Sequence, residues 1–312
     1  MIPEMSRPVL LTLGGVFGVL VIASVLVRLL RRARPDGDFK ELGQRVRSWW
    51  IMVGVFSLAL LFDRTVSLAF FCLVSILAFR EYMSLVPTRE ADRRVLPWAY
   101  LAIPLQYLWI WDNWFGMFII WIPVYVFLFL PARMVLIGET KGFLRAAGTI
   151  HWGLMTTVFS VSHVAFLLVL TTPGSPARDG PGLVLYLVLL TQCNDVAQFI
   201  WGKSFGRHKI VPRVSPNKTV EGFVGGLVTT TALAWALAPW LTPLTTVQSI
   251  ASGVLIGLSG FIGDVVISSL KRDIGTKDSG TLLPGHGGLL DRLDSLTYTA
   301  PLFFHFIRYL HY

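Results

Sequence analysis

The stretch QSIASGVLIGLSGFIGDVVISSL, residues 248–270, decides the fold class. At about 1.5 Å per residue, a helix of this length exceeds the roughly 30 Å hydrocarbon core of a bilayer, and its only ionisable side chain is Asp264. Such a run reads as a transmembrane helix. Further apolar runs lie at 8–30, 49–62, 65–79, 97–111, 115–132, 150–171, 183–201, 222–241 and 295–310. The expectation is an all-α, polytopic integral membrane protein with about ten transmembrane helices. Only Asp63-Arg64 breaks the runs at 49–62 and 65–79, so they are read as two short helices.

Composition agrees. The 312 residues are 54% hydrophobic and 14% charged, whereas soluble domains carry roughly 25% charged residues. Mean hydropathy is +0.64. An aromatic share of 13% excludes disorder, two cysteines exclude a disulfide scaffold, and 28 glycines without a repeat exclude a collagen-like chain. Cys72 and Cys193 fall inside apolar runs and read as small buried hydrophobes. The net charge of +9 does not indicate nucleic acid, because no basic stretch outside a span is interleaved with aromatics.

The basic residues report topology instead. With loops assigned alternately, 23 of the 27 Lys and Arg fall on one side, leaving Arg7, Arg64, Arg178 and Arg308 on the other. By the positive-inside rule the first side is cytoplasmic and both termini lie outside. The first run has one basic residue before it and several after it, the reverse of a cleaved signal peptide, so it reads as a retained anchor. Trp49, Trp50, Trp98, Trp111, Trp114, Trp201 and Trp240 sit near run ends, as interfacial aromatic belts do. The polar basic stretches 31–48 and 84–96 read as interfacial helices or loops.

Two carboxylates interrupt apolar runs, Asp195 in LLTQCNDVAQFIW (189–201) and Asp264. Each is expected about 10 Å below the cytoplasmic interface. An intramembrane carboxylate costs at least about 2.5 kcal/mol, which makes a functional site the default reading. Each is followed by a glycine-rich basic loop, GKSFGRHKIVPRVSPNKTVEG (202–222) and KRDIGTKDSGTLLPGHGGLLDRLDS (271–295). Glycines let backbone amides approach phosphate, and Lys and Arg neutralise it. In the second loop Asp278, Asp291 and Asp294 alternate with Lys271, Arg272, Lys277 and Arg292. Carboxylates among cations suit Mg²⁺ bridging protein to a polyphosphate. His286, inside Pro284-Gly285-His286-Gly287-Gly288, is open to a general-base or a plain turn reading. Neither Ser215 nor Ser269 has a base in the sequence that would make it a nucleophile.

Ser269-Leu270-Lys271-Arg272, Lys277-Asp278 and Pro284 to Asp294, together with Asp195, Phe199, Gly202, Gly206, Ile210 and Val214-Ser215-Pro216-Asn217-Lys218-Thr219-Val220-Glu221-Gly222, resemble the two signatures of the phosphatidate cytidylyltransferases. The detailed likeness covers about 191–300. Upstream it is loose and includes Arg80-Glu81-Tyr82. The resemblance implies CTP and phosphatidate as substrates, CDP-diacylglycerol and pyrophosphate as products, a divalent metal, and a site on the cytoplasmic face. That membrane is the inner one if the chain is bacterial. It implies Asp264, Lys271, Asp291 and Asp195 as catalytic residues. Asp264, Asp291 and Asp294 are the expected metal ligands, for Mg²⁺ with room for a second ion. Phosphate or substrate binding is expected from Ser215, Lys218, Arg272, Lys277, Asp278, His286, Gly287, Gly288 and Arg292.

On this reading residues 1–182 form an anchoring, lipid-facing part, and 183–312 a catalytic part with cytoplasmic loops 202–221 and 271–294. Membrane lipid and a second copy of the chain are the other expected partners. Two positions depart from the pattern: Ile267 stands where Glu is usual, and Gln198 where a small residue is usual. Ile267 lies one turn beyond Asp264, so a Glu there is expected to face the same polar cavity. Two other readings stay open. One is transfer to another lipid such as a polyprenyl phosphate; the other is a transporter or scaffold, which has no use for two phosphate-type loops.

Overall fold

The computed structural model describes residues 6–33, 39–170, 180–280 and 287–312. His286, Pro284, Gly285, Arg178 and Arg34 lie outside the described residues. Among the described residues the regular structure is helical apart from one antiparallel bridge, Lys209 with Thr219. The helices are α1 (Arg7–Ala33), α2 (Lys40–Leu61), α3 (Arg64–Leu85), α4 (Glu90–Arg93), α5 (Leu96–Trp111), α6 (Phe115–Ile120), α7 (Phe127–Val135), α8 (Phe143–Leu154), α9 (Ser160–Leu167), α10 (Pro181–Phe205), α11 (Val220–Leu241), α12 (Thr246–Asp273), α13 (Leu290–Leu293) and α14 (Leu296–His311). π-helical turns at Trp121–Val126 and Met155–Phe159 join α6 to α7 and α8 to α9 into continuous rods.

Each of the ten apolar runs forms helix, but among the described residues seven helices, rather than ten, are long and apolar enough to cross a membrane. The three that fall short do so for physical reasons. Charged residues fill the first turns of α2, whereas α5 and α14 are only 16 residues long. The break at Asp63 separates two helices because its carboxylate caps α3, accepting from the Val66 amide at 3.0 Å. Of the basic stretches, 40–48 continues into α2, and Glu90–Arg93 forms one turn. Cys72 and Cys193 are free thiols and half-buried rather than fully enclosed. Trp98, Trp111, Trp114, Trp201 and Trp240 are exposed, as side chains at a lipid interface are.

The C-terminal bundle packs α10 against α11, α11 against α12 and α12 against α14. Small residues permit the close approach: a Cβ on Gly263 would lie 2.6 Å from the Asp294 carbonyl oxygen. Buried hydrogen bonds then fix the register. Asn194 accepts from Thr230 at 3.1 Å and donates to the Gly257 carbonyl at 3.4 Å, and Thr191 donates to Thr299 at 3.0 Å. The N-terminal helices join this bundle through an aromatic core in which Phe118, Phe166 and His163 meet Phe304 of α14. The two expected parts therefore share one hydrophobic core.

Candidate active site

Asp195 and Asp264 sit on α10 and α12, which run past Gly202 and Lys271 to end at Phe205 and Asp273. The cation that meets them comes from the loop between α10 and α11. Val220 donates to the His208 carbonyl at 2.9 Å and Ile210 to the Lys218 carbonyl at 3.2 Å, which folds the loop back on itself. Thr219 caps α11 by accepting from the Gly222 amide at 3.1 Å. Glu221 accepts from the Arg207 and His208 amides at 2.9 and 3.2 Å and pairs with the His208 ring at 2.6 Å. Thus anchored, the loop aims Lys218 inward. Its ammonium lies 2.6 Å from Asp264 Oδ2, donates to Gln198 Oε1 at 3.0 Å, and stands 5.1 Å from the centre of the Phe261 ring.

Two further carboxylates stand near Asp264. Asp195 accepts from Ser295 Oγ at 3.0 and 3.1 Å, Asp294 accepts from the Ser295 amide at 2.8 Å, and both are within electrostatic reach of Asp264. Arg292 also acts on Asp195; its Nε is buried and has no hydrogen-bond partner among the described residues. Gln198 Nε2 is likewise buried without a partner, because the amide's oxygen is turned to Lys218.

Asp291 belongs to a second ion pair. Lys271 Nζ lies 2.6 Å from Asp291 Oδ1, and the amides of Ser279 and Gly288 donate to Asp291 Oδ2 at 2.8 and 2.9 Å. Burial alone would raise this carboxyl group, but Lys271 and the two amides outweigh it and hold its pKa below the usual value. Gly287 has φ +76°, and a Cβ there would collide with Asp291; a Cβ on Gly288 would collide with Glu81. The glycines thus bring backbone onto carboxylates here.

The remaining expected residues are dispersed. Arg272 is exposed and joins the two loops, donating to the Val214 carbonyl at 3.2 Å and the Thr276 carbonyl at 3.1 Å. Lys277 and Asp278 are exposed, and Asp278 offers its carbonyl to Thr276 Oγ1 at 2.6 Å. Ser215 is half-buried in a turn, its amide donating to the Val211 carbonyl at 2.8 Å. Ile267 does not line a polar cavity. It is fully buried in the apolar core, one turn before Lys271. Ile267→Glu is therefore expected to lower the thermal midpoint, because its carboxylate would be buried and would compete with Asp291 for Lys271. An unchanged midpoint in a detergent melt would show that the position tolerates charge.

Hard oxygen donors suit Mg²⁺, which is commonly held by one or two carboxylates plus substrate oxygens. Among the described residues no group of three or more His, Cys, Asp or Glu side chains forms a ready metal cage. Asp264, Asp294 and Asp195 are the carboxylates that stand within electrostatic reach of one another. Asp291 spends its oxygens on Lys271 and two amides.

Sequence reasoning assigned no role to Glu81 or Glu221. Glu81, from α3, accepts from Ser279 Oγ at 2.5 Å and from the Leu289 and Leu290 amides at 2.8 and 2.9 Å. Its sole sequence signal was the fragment Arg80-Glu81-Tyr82. Glu221 stands inside the recognised stretch, but its loop-anchoring bonds depend on the fold of residues 206–219.

The cytidylyltransferase family profile matches residues 43–310. The chain is 48% identical over 301 residues to "Uncharacterized protein YnbB" of Escherichia coli (strain K12), covering 96% of this chain and 99% of that protein. It is 40% identical over 132 residues to the "Phosphatidate cytidylyltransferase" of Staphylococcus haemolyticus (strain JCSC1435) and 42% identical over 125 residues to that of Staphylococcus aureus (strain COL). Each of these two matches spans 40% of this chain and 48% of the staphylococcal protein.

Proposed function

Because the chain belongs to the cytidylyltransferase family, we propose that it transfers CMP from CTP to phosphatidate, giving CDP-diacylglycerol and pyrophosphate. The observation that carries this reading is the meeting of Lys218, from the first signature stretch, with Asp264, on α12 just before the second, beside Asp195 and Asp294. Such a pocket sets cationic and carboxylate groups where a nucleotide from water and a headgroup from the leaflet can be brought together. The acceptor is a phosphate monoester, ionised near neutral pH, so the transfer requires no protein nucleophile. One of its oxygens bonds to the α-phosphorus of CTP as the bond to the bridging oxygen of pyrophosphate breaks. Catalysis is then positioning and charge neutralisation.

Lys218 and Arg292 reach the carboxylate pocket and are the groups to neutralise phosphate there, while Arg272 keeps the two loops together and Lys277 stands free at the surface. A Mg²⁺ ion, held by Asp264 and Asp294 with Asp195 alongside, would supply further neutralisation of phosphate charge. The decisive test is incubation of purified protein with α-labelled CTP, Mg²⁺ and a lipid panel. Label in a CDP-lipid made from phosphatidate supports the reading, and label only in another lipid product replaces the acceptor. EDTA should abolish activity and Mg²⁺ or Mn²⁺ restore it; full activity in EDTA would remove the metal.

The chain is an integral membrane protein on this reading, with about ten helices in the membrane, the polar-ended α2 and the short α5 and α14 among them, both termini outside and the two signature loops cytoplasmic. Its support is the distribution of Lys and Arg, 23 against 4. Single cysteines at Ser204 and Lys277, both exposed positions, are expected to react only from the cytoplasmic side in a cysteine-free background, and one at Ser175 only from outside. Labelling of either signature loop from outside would overturn the proposed route for CTP.

A further inference from the structure

Glu81 belongs to α3, far in sequence from the signature loops, yet its carboxylate receives three donors from one of them. These are Ser279 Oγ, 198 residues away, and the amides of Leu289 and Leu290, 208 and 209 residues away. Asp291 grips the same segment from the other side, through the Ser279 and Gly288 amides. Ser279 and residues 288–290 are therefore held between two carboxylates, each oxygen of which accepts a hydrogen bond. Bonds to an ionised acceptor are roughly twice as strong as neutral ones. The packing leaves no slack, since a Cβ on Gly288 would strike both Glu81 and Ser279 Oγ.

From Leu290 the chain passes directly through α13, which carries Asp291 and Arg292, to Asp294 and Ser295. Arg292 and Asp294 act on the Asp195–Asp264 pocket, and Ser295 bonds Asp195. The point at which Glu81 holds the backbone thus fixes the origin of the segment that completes the pocket. We propose that Glu81 is a positioning residue for the transfer reaction. It ties the N-terminal helices to the second signature loop and sets the register of Asp291, Arg292 and Asp294 against Asp264. The proposal rests on the cytidylyltransferase reading for its kinetic consequence, and on geometry alone for its structural one.

The test combines kinetics with amide hydrogen exchange on the full chain in detergent or nanodiscs. Glu81→Ala removes all three acceptor contacts. It is expected to lower kcat by at least about 30-fold and to speed exchange at residues 288–290 by about 10-fold or more, with protection of α10 and α12 unchanged. Glu81→Gln keeps one oxygen, which in the Oε1 position still accepts from Ser279 Oγ and Leu290 and gives up only the Leu289 contact, so it should recover part of both losses. Ser279→Ala removes one donor of three and should cost less than either. Unchanged exchange at 288–290 in Glu81→Ala, or a kcat within threefold of the parent, would overturn the proposal. So would faster exchange throughout the bundle, since that is loss of fold rather than of position. If the parent protein transfers CMP to no lipid, the proposed function fails, and the exchange measurement still decides whether Glu81 holds the loop.

Discussion

Asp264→Ala is expected to lower CMP transfer to phosphatidate by at least about 100-fold, the scale of losing one element that stabilises charge at a reacting centre. Asp264, on α12, is where the first signature stretch meets the helix that leads into the second. Its carboxylate is 2.6 Å from Lys218 and accepts from Ser268 Oγ at 3.1 Å. Removing it leaves Lys218 with Gln198 as its remaining direct partner and changes the charge balance shared with Asp195 and Asp294. Lys218→Met should be comparably damaging, because it leaves Asp264 without its ion-pair partner and Asp195 without a neighbouring ammonium. The two losses should not add, since both substitutions break one pair. The measurement is turnover of labelled CTP by Asp264→Ala, Lys218→Met and the double variant at saturating lipid. A double variant whose loss equals the product of the two single losses would show that the residues act independently.

The second large effect is expected at Lys271 and Asp291, whose side chains are 10% and 6% exposed. Breaking a buried pair by removing one partner costs about 3–5 kcal/mol, because the other is left as an uncompensated charge. Lys271→Met and Asp291→Leu should each lower stability on this scale, whereas the double variant should recover much of it. Unfolding in detergent checks the difference. Single variants as stable as the parent would mean that water reaches the pair. The pH dependence follows from the depressed pKa of Asp291 in the folded protein. Its contribution is fully present above the unfolded carboxylate value and is lost as pH falls through the lower folded value. Asp291→Asn should therefore flatten the acid side of the stability profile and leave the neutral region with less stability than the parent.

Residues 248–270 and their nine companion runs determined by themselves that the chain is helical and built for a membrane. Apolar run length is local information, and a backbone in hydrocarbon must satisfy its own hydrogen bonds. Asp63 between two runs was legible in the same way, as a helix cap needs only the next three residues. The glycine-rich loops and their charged residues were likewise readable as a candidate site from side-chain type and spacing. Partnership was not readable. Lys218 meets Asp264, Lys271 meets Asp291, and Glu81 meets a loop some 200 residues away, and these pairings exist only because α10, α11, α12 and α14 pack together and α3 meets α13. Ile267 shows the limit. Helical spacing from Asp264 put it on a polar face, but neighbouring elements enclose it in the apolar core. The sequence determined which groups were available at the helix ends that carry the two signature loops. The tertiary structure decided which cation neutralises which carboxylate, because an ion pair depends on distance and burial, and packing between distant segments sets both.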